Sequence, residues 1–302
     1  MKATIAWGPL KKLMDNKDVH EIIIDRCDDS LFATRKGVQK GPKFKQTDLM
    51  KLAQQILKHS VDPKALSAEV LLPNNILVGV VMPPLAPEGP FLRIWKMPKD
   101  NISLNQMVEW EVMSKAQAQY ISQAVKNNES IIIAGNAGSG KTTLFNTVLD
   151  CLPENYHLVT IEQYRELIIN RPHTARLVAP RNEAQELVQL VQVASRSRGD
   201  CLALSTAHGA EILPFIELLR DGHQGMMSLS GENVFDALKR LEYKISAHAP
   251  WMTLDDVRFS ITKAFSHILF QSREADGKRK LTHLSRLVFS DGEIKVETVK
   301  VN

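Results

Sequence analysis

Residues 130–152 read SIIIAGNAGSGKTTLFNTVLDCL. The stretch SIIIAG (130–135) is apolar and β-branched, as expected of a strand buried on both faces. GNAGSGKTT (135–143) then fits Gly-x-x-x-x-Gly-Lys-Ser/Thr from Gly135 to Thr142, and KTTLFNTVLDCL follows as a helix. Strand, glycine-rich loop and helix in that order are the setting in which the pattern carries meaning. Gly135, Gly138 and Gly140 let the backbone curl so that its N–H groups face anionic oxygens. Asn136, Ala137, Ser139 and Thr143 complete the loop. The helix beginning at Lys141 adds its positive end. Lys141 is expected to reach the β- and γ-phosphates, and Thr142 to offer its hydroxyl to magnesium. The stretch implies a nucleotide-binding fold whose ligands are ATP and Mg.

Outward from the loop, strands and helices alternate. YHLVTIEQY and DCLALST read as strands, with the helix NEAQELVQLVQVASRSR between them. AEILPFIELLRDGH is a helix and GMMSLS a short strand. This is the order of an α/β parallel sheet with crossover helices. Residues 231–265 read as helical, and the remainder closes with strands and a charged turn.

Toward the N-terminus the pattern changes. GPLKKLMDN (8–16) predicts a short helix, and residues 19–40 predict two strands. TDLMKLAQQILKHSV (47–61) predicts a helix with Thr47 as its N-cap. Residues 68–98 predict further strands, broken at PNN and PPLAPEGP. The expected organisation is a smaller α+β domain over 1–100, a linker over 101–112 that follows Pro98, and the nucleotide-binding domain over 113–302. Lys115 to Lys126 is expected to be a helix.

The chain has 302 residues, 44% hydrophobic and 24% charged, which is ordinary for a globular protein. Cys27, Cys151 and Cys201 are widely spaced and lack zinc-ligand spacing, which suits a reducing compartment. The net charge of +4 is mild, and no basic, aromatic-studded stripe marks a nucleic-acid surface, so no direct nucleic-acid binding is expected. No run approaches the ~18 apolar residues of a membrane span. The expected setting is the cytoplasm, at the inner face of the membrane.

Several short motifs, in order and spacing together, resemble the type II/IV secretion traffic ATPases, in particular the CpaF-like ATPases of tight-adherence pili. They are GPLKKLMDNKDVHEIIID, VVMPPLAPEGPFLRIWKMPKDNISL, VTIEQYRELII, VASRSRGDCLALSTAHGAEIL and GHQGMMSLSGENVFDALKRLE. The resemblance implies a hexameric ring of subunits, each with an N-terminal sensor-like domain and a C-terminal RecA-like phosphate-loop domain. It implies ATP at the cleft between them and service to a pilus, secretion or conjugation platform in the inner membrane.

The same resemblance assigns roles to charged residues. Glu162 ends a strand from which a carboxylate can address magnesium or water, and Glu166 follows four residues later, with Gln163 where the family carries Asp. Arg196 and Arg198 match the arginines placed near the nucleotide or a subunit contact, and they equally suit a solvated helix end. Arg93 and Lys96 fall near a basic pair that approaches the nucleotide, with Trp95 at one usually basic position. The family's second core strand ends Gly-Glu; here Ser205 and Thr206 stand there, after Asp200. Gly231 stands where a histidine is usual. A threonine hydroxyl is too weakly basic to replace a general base, whose loss is expected to cost ~10²–10⁴-fold. His208, His223 and Glu232 read as structural more readily than catalytic.

Two functions follow. One is a traffic ATPase with weak or atypical hydrolysis, Glu162 taking more of the load and Thr206→Glu raising turnover. The other is a nucleotide-binding regulatory or structural ring subunit beside an active paralogue. A phosphate-loop kinase or nucleic-acid motor is disfavoured by the dedicated first domain and the modest charge.

Overall fold

The computed structural model describes residues 5–34, 37–97, 101–179, 184–274 and 277–301. The chain divides into two units, residues 1–99 and 100–302. Pro98, the signal for the expected linker, lies outside the described residues.

In the first unit α1 (Lys11–Asp15) leads into β1 (Val19–Arg26), β2 (Asp29–Thr34) and β3 (Gly37–Lys40). The helix α2 (Gln46–Leu57) precedes β4 (Ser67–Leu72), β5 (Ile76–Val81) and β6 (Phe91–Lys96). The strands form an antiparallel sheet in the order β3-β2-β1-β6-β5-β4. Alternation decides which face is covered: Ile22, Ile24, Val78, Val80, Leu92 and Ile94 point into one core with Leu49, Leu52 and Ile56 of α2. The third strand over 19–40 had been hidden by its polar sequence, and it is an edge. Helix α2 starts after Lys45, which makes no side-chain cap bond, so Thr47 is not the cap.

The second unit opens with α3 (Leu104–Glu109) and α4 (Lys115–Lys126). Residues 101–112, read from sequence as a linker, thus contain a helix, and its Met107 joins a buried core. Ser103 with Gln106, and Ser114 with Gln117, form capping boxes that start these helices. There follow β7 (Ile131–Gly135), α5 (Lys141–Leu149), β8 (Leu158–Glu162), β9 (Thr174–Val178), α6 (Ala184–Ala194) and β10 (Cys201–Leu204). Then come α7 (Ile212–Arg220), β11 (Gln224–Ser230), α8 (Val234–His248), α9 (Leu254–Ala264), β12 (His267–Arg273), β13 (Arg279–Ser290) and β14 (Glu293–Thr298).

The sheet order is β14-β13-β12-β7-β11-β10-β8-β9. Strands β12, β7, β11, β10, β8 and β9 are parallel, with β13 and β14 added antiparallel. Alternate residues of β7 serve opposite cores. Ile131 and Ile133 pack with α3, α4 and α5, while Ile132 and Ala134 pack with α6 to α9. The strand is therefore apolar throughout and central. The chain leaves β7 toward β8 on one side and later returns as β12 on the other, so the carboxyl end of β7 is a topological switch point. Among the described residues no helix is long and apolar enough to cross a membrane.

Candidate functional site

The loop after β7 is built as a cradle. Gly140 is the residue before α5 and holds φ 90°, a left-handed conformation that side chains disfavour. It offers no side-chain cap, so the first N–H groups of α5 are left for a ligand. Ser139 Oγ and Asn136 Oδ1 are buried without hydrogen-bond partners. Lys141 folds back, its Nζ donating to Asn136 O at 3.0 Å. Burial lowers the Lys141 pKa, an effect offset by the charge of Glu166. Open N–H groups, the unpartnered Ser139 hydroxyl and a half-desolvated cation together suit a polyphosphate anion.

The two acids on the next segment have different neighbours. Glu162, fully buried at the end of β8, is surrounded by donors. Arg176 of β9 grips it through Nε at 2.7 Å and Nη2 at 2.8 Å. Thr160 Oγ1 donates at 2.9 Å, and the backbone N–H groups of Glu166 and Leu167 donate at 3.0 and 2.9 Å. Five donors leave its oxygens committed to an internal ion pair. The expected magnesium and catalytic roles of Glu162 do not fit these surroundings.

Glu166 is the acid that faces the loop. Thr206 Oγ1 donates to its Oε1 at 3.2 Å. The Lys141 charge reaches the same carboxylate, and the Ser205 hydroxyl nearby is buried without a hydrogen-bond partner. Burial raises the Glu166 pKa; Ser205, Thr206 and Thr142 oppose the rise and Glu162 adds to it. A carboxyl group thus sits where the second core strand ends in threonine rather than acid, within the field of the loop cation Lys141. Its pKa is shifted in the direction a general base needs near neutral pH. Sequence spacing alone ranked Glu162 above Glu166 because the strand-end position is the visible one. Arg176, which decides the matter, is 14 residues away on a strand that the sequence reading lacked.

The peptide N–H of Gly231 donates to Gly135 O at 3.1 Å. A Cβ on Gly231 would lie 2.7 Å from the backbone N and Cα of Ala237. Helix α8 thus excludes the histidine that relatives were expected to carry here. Glu232 is exposed, and His223 Nδ1 meets Gly199 O at 2.9 Å, far along the sheet. His208 stands beside Glu211 and Lys244, and burial lowers its pKa. Arg196 and Arg198 precede the start of β10, exposed, whereas the loop lies beyond the end of the parallel neighbour β7. The structure places them at the other end of the sheet from the phosphate loop of the same chain.

In the first unit, Arg93 Nε pairs with Glu21 at 2.7 Å and its guanidinium lies 4.1 Å from the Trp95 ring centroid. Trp95 therefore serves as a stacking platform for Arg93. Lys96 Nζ donates to the carbonyls of Leu13 and Asn16, and burial lowers its pKa against the pull of Asp15. Both cations are tied within their own unit. Among the described residues no group of three or more His, Cys, Asp or Glu side chains is disposed to hold a metal.

A parallel sheet with a phosphate loop at its switch point defines the second unit as a phosphate-loop nucleotide-binding domain. Residues 8–271 match the family described as Type II/IV secretion system protein, and the chain belongs to that family. It is 23% identical to the type IV secretion system protein VirB11 of Bartonella quintana, covering 91% of this chain and 90% of that one. The Legionella pneumophila ATPase DotB superposes with a TM-score of 0.61 at 18% identity, covering 90% and 78% of the two chains. The pilus retraction motor PilT with bound ADP superposes with a TM-score of 0.62 at 14% identity, covering 96% and 82%. These two likenesses establish the shared α/β fold.

Proposed function

We propose that the protein is an ATP-driven traffic motor of a type IV pilus, secretion or conjugation machine, and that Glu166 supplies the carboxylate missing from residue 206. The observation that carries this reading is the hydrogen bond from Thr206 Oγ1 to Glu166, beside Lys141. ADP in PilT supports a nucleotide as the ligand. The loop N–H groups and Lys141 bind the phosphates, and Glu166 accepts the proton of the attacking water. The Thr206 hydroxyl holds the carboxylate oriented. Magnesium, when bound, neutralises phosphate charge, and Thr142 is the loop residue suited to hold it. Ser139 and Asn136 provide further polar atoms in the cradle.

The remaining parts of the reading rest on kinship. A homo-oligomeric hexamer, a membrane platform as partner, a place on the inner face of the membrane and the tight-adherence branch are each what the resemblance of the sequence motifs implies. Steady-state phosphate release with Mg-ATP tests the core of the proposal. Wild-type protein is expected to release phosphate; Lys141→Ala and Glu166→Gln are expected to lose release, with nucleotide still bound by Glu166→Gln. Release equal in wild type and Lys141→Ala, with nucleotide bound by wild type, would make the protein a nucleotide-gated scaffold instead.

A further inference from the structure

The phosphate loop is held from behind by a strand the motif does not include. Gln271 lies on β12, opposite Gly135 of β7. Pairing of β12 with β13 slips by one residue between Phe270, which faces His283, and Gln271, which faces Leu281. A bulge of this kind re-aims a side chain. Gln271 is 1% exposed, and its Nε2 donates to Ser139 O at 2.7 Å. From β13, Arg279 Nε reaches Gly138 O at 3.4 Å. Two successive loop carbonyls are thus engaged by the β12–β13 hairpin. In a trans peptide the carbonyl and the next N–H point in opposite directions. Holding Ser139 O toward Gln271 therefore turns the Gly140 N–H the other way, whereas the Ser139 N–H stays within the loop and donates to Asn136 O at 3.3 Å.

The surrounding glycines fit this contact. A Cβ on Gly135 would collide with the Gln271 carbonyl, and one on Gly140 would lie 2.9 Å from Gln271 Nε2. Gln271 Oε1 is itself buried without a hydrogen-bond partner, so the amide is retained although half of it is unsatisfied.

We propose that Gln271 is a positioning residue for nucleotide binding: it fixes the Ser139–Gly140 peptide with its N–H turned into the phosphate cradle. The inference rests on the nucleotide reading of the loop. A fluorescent ADP analogue with magnesium, titrated against the full chain, tests it. Gln271→Met removes the donor at similar length, and Gln271→Glu replaces it with a carboxylate that repels the same carbonyl. Gln224→Met is the matched control. Gln224 is also a buried glutamine, 3% exposed, with Nε2 donating to Val125 O at 2.9 Å and Glu129 O at 3.2 Å, at the opposite end of the sheet.

Gln271→Met loses one buried hydrogen bond and Gln224→Met two, so the thermal midpoint of the control is expected to drop at least as far. Affinity separates them: about tenfold weaker binding in Gln271→Met, weaker still in Gln271→Glu, and unchanged binding in Gln224→Met. Binding by both Gln271 variants within twofold of wild type overturns the inference while leaving the nucleotide reading intact. Equal losses in Gln224→Met and Gln271→Met overturn it too, by assigning the effect to general destabilisation. No binding by wild type would overturn the nucleotide reading and this inference together.

Discussion

Glu166 and Glu162 are four residues apart, yet one is spent on the fold and the other is available for chemistry. Burial raises the Glu166 pKa, and this has a consequence for stability as well as for rate. A carboxyl whose folded pKa lies above its unfolded value contributes stability below the unfolded pKa and loses it as pH rises through the folded one. At neutral pH its charge is therefore a burden on the fold. Glu166→Gln is expected to raise the thermal midpoint at pH 7, with the gain shrinking toward acid, while turnover falls by ~10²–10⁴-fold. A calorimetric scan beside a phosphate-release assay would check both; a lower midpoint at pH 7 would mean that Glu166 is structural. If Glu166 is the base, wild-type activity should fall on acidification through a pKa above the usual carboxylate range. The same contact revises the expectation for residue 206. Thr206 Oγ1 already meets Glu166 Oε1, so Thr206→Glu alone would set two carboxylates together and drive up the pKa of one. Turnover is then expected to drop, and the exchange Thr206→Glu with Glu166→Gln to recover part of it.

At the level of elements, what the sequence showed depended on how far apart the deciding residues lie. The strand, loop and helix around Gly135–Thr143 are contiguous, and each has its own signal, so the cradle was legible. Strand β9 was not, because each of its residues is half-buried at a sheet edge and TARLV has no alternation to read. Without β9 there is no Arg176, and without Arg176 the strand-end Glu162 looks like a metal ligand. Removing that cation should expose the dependence. Arg176→Met leaves a fully buried carboxylate without its charged partner, and a loss of ~3–5 kcal/mol in urea unfolding is expected. A loss under ~1 kcal/mol would show that the pair is not the anchor of the turn that carries Glu166. Helix α8 limits the site in another way. Its Ala237 fills the space beside Gly231, so Gly231→His is expected to cost ~1–3 kcal/mol or more and not to raise turnover.

Across the whole molecule, the parallel sheet gives the second unit two ends with different work. At the carboxyl ends of β7 and β10 lie the phosphate loop, Thr206 and, from the turn after β8, Glu166. At the amino ends lie Arg196, Arg198 and Asp200, whose carboxylate accepts the His157 N–H at 2.7 Å. The resemblance places the arginines near the nucleotide or a subunit contact, and a strand carries its two ends apart by ~3.3 Å per residue. With Cys201 to Leu204 between them, the arginines lie beyond side-chain reach of the loop in their own chain. Arg196→Ala and Arg198→Ala are therefore expected to bind a fluorescent ADP analogue within twofold of wild type under dilute conditions. If those arginines serve a contact between copies, as the alternative reading holds, their loss should appear in the concentration dependence of phosphate release and in sedimentation. An affinity loss of tenfold or more at high dilution would contradict the placement, because the sheet gives Arg198 no path to the phosphates of its own subunit.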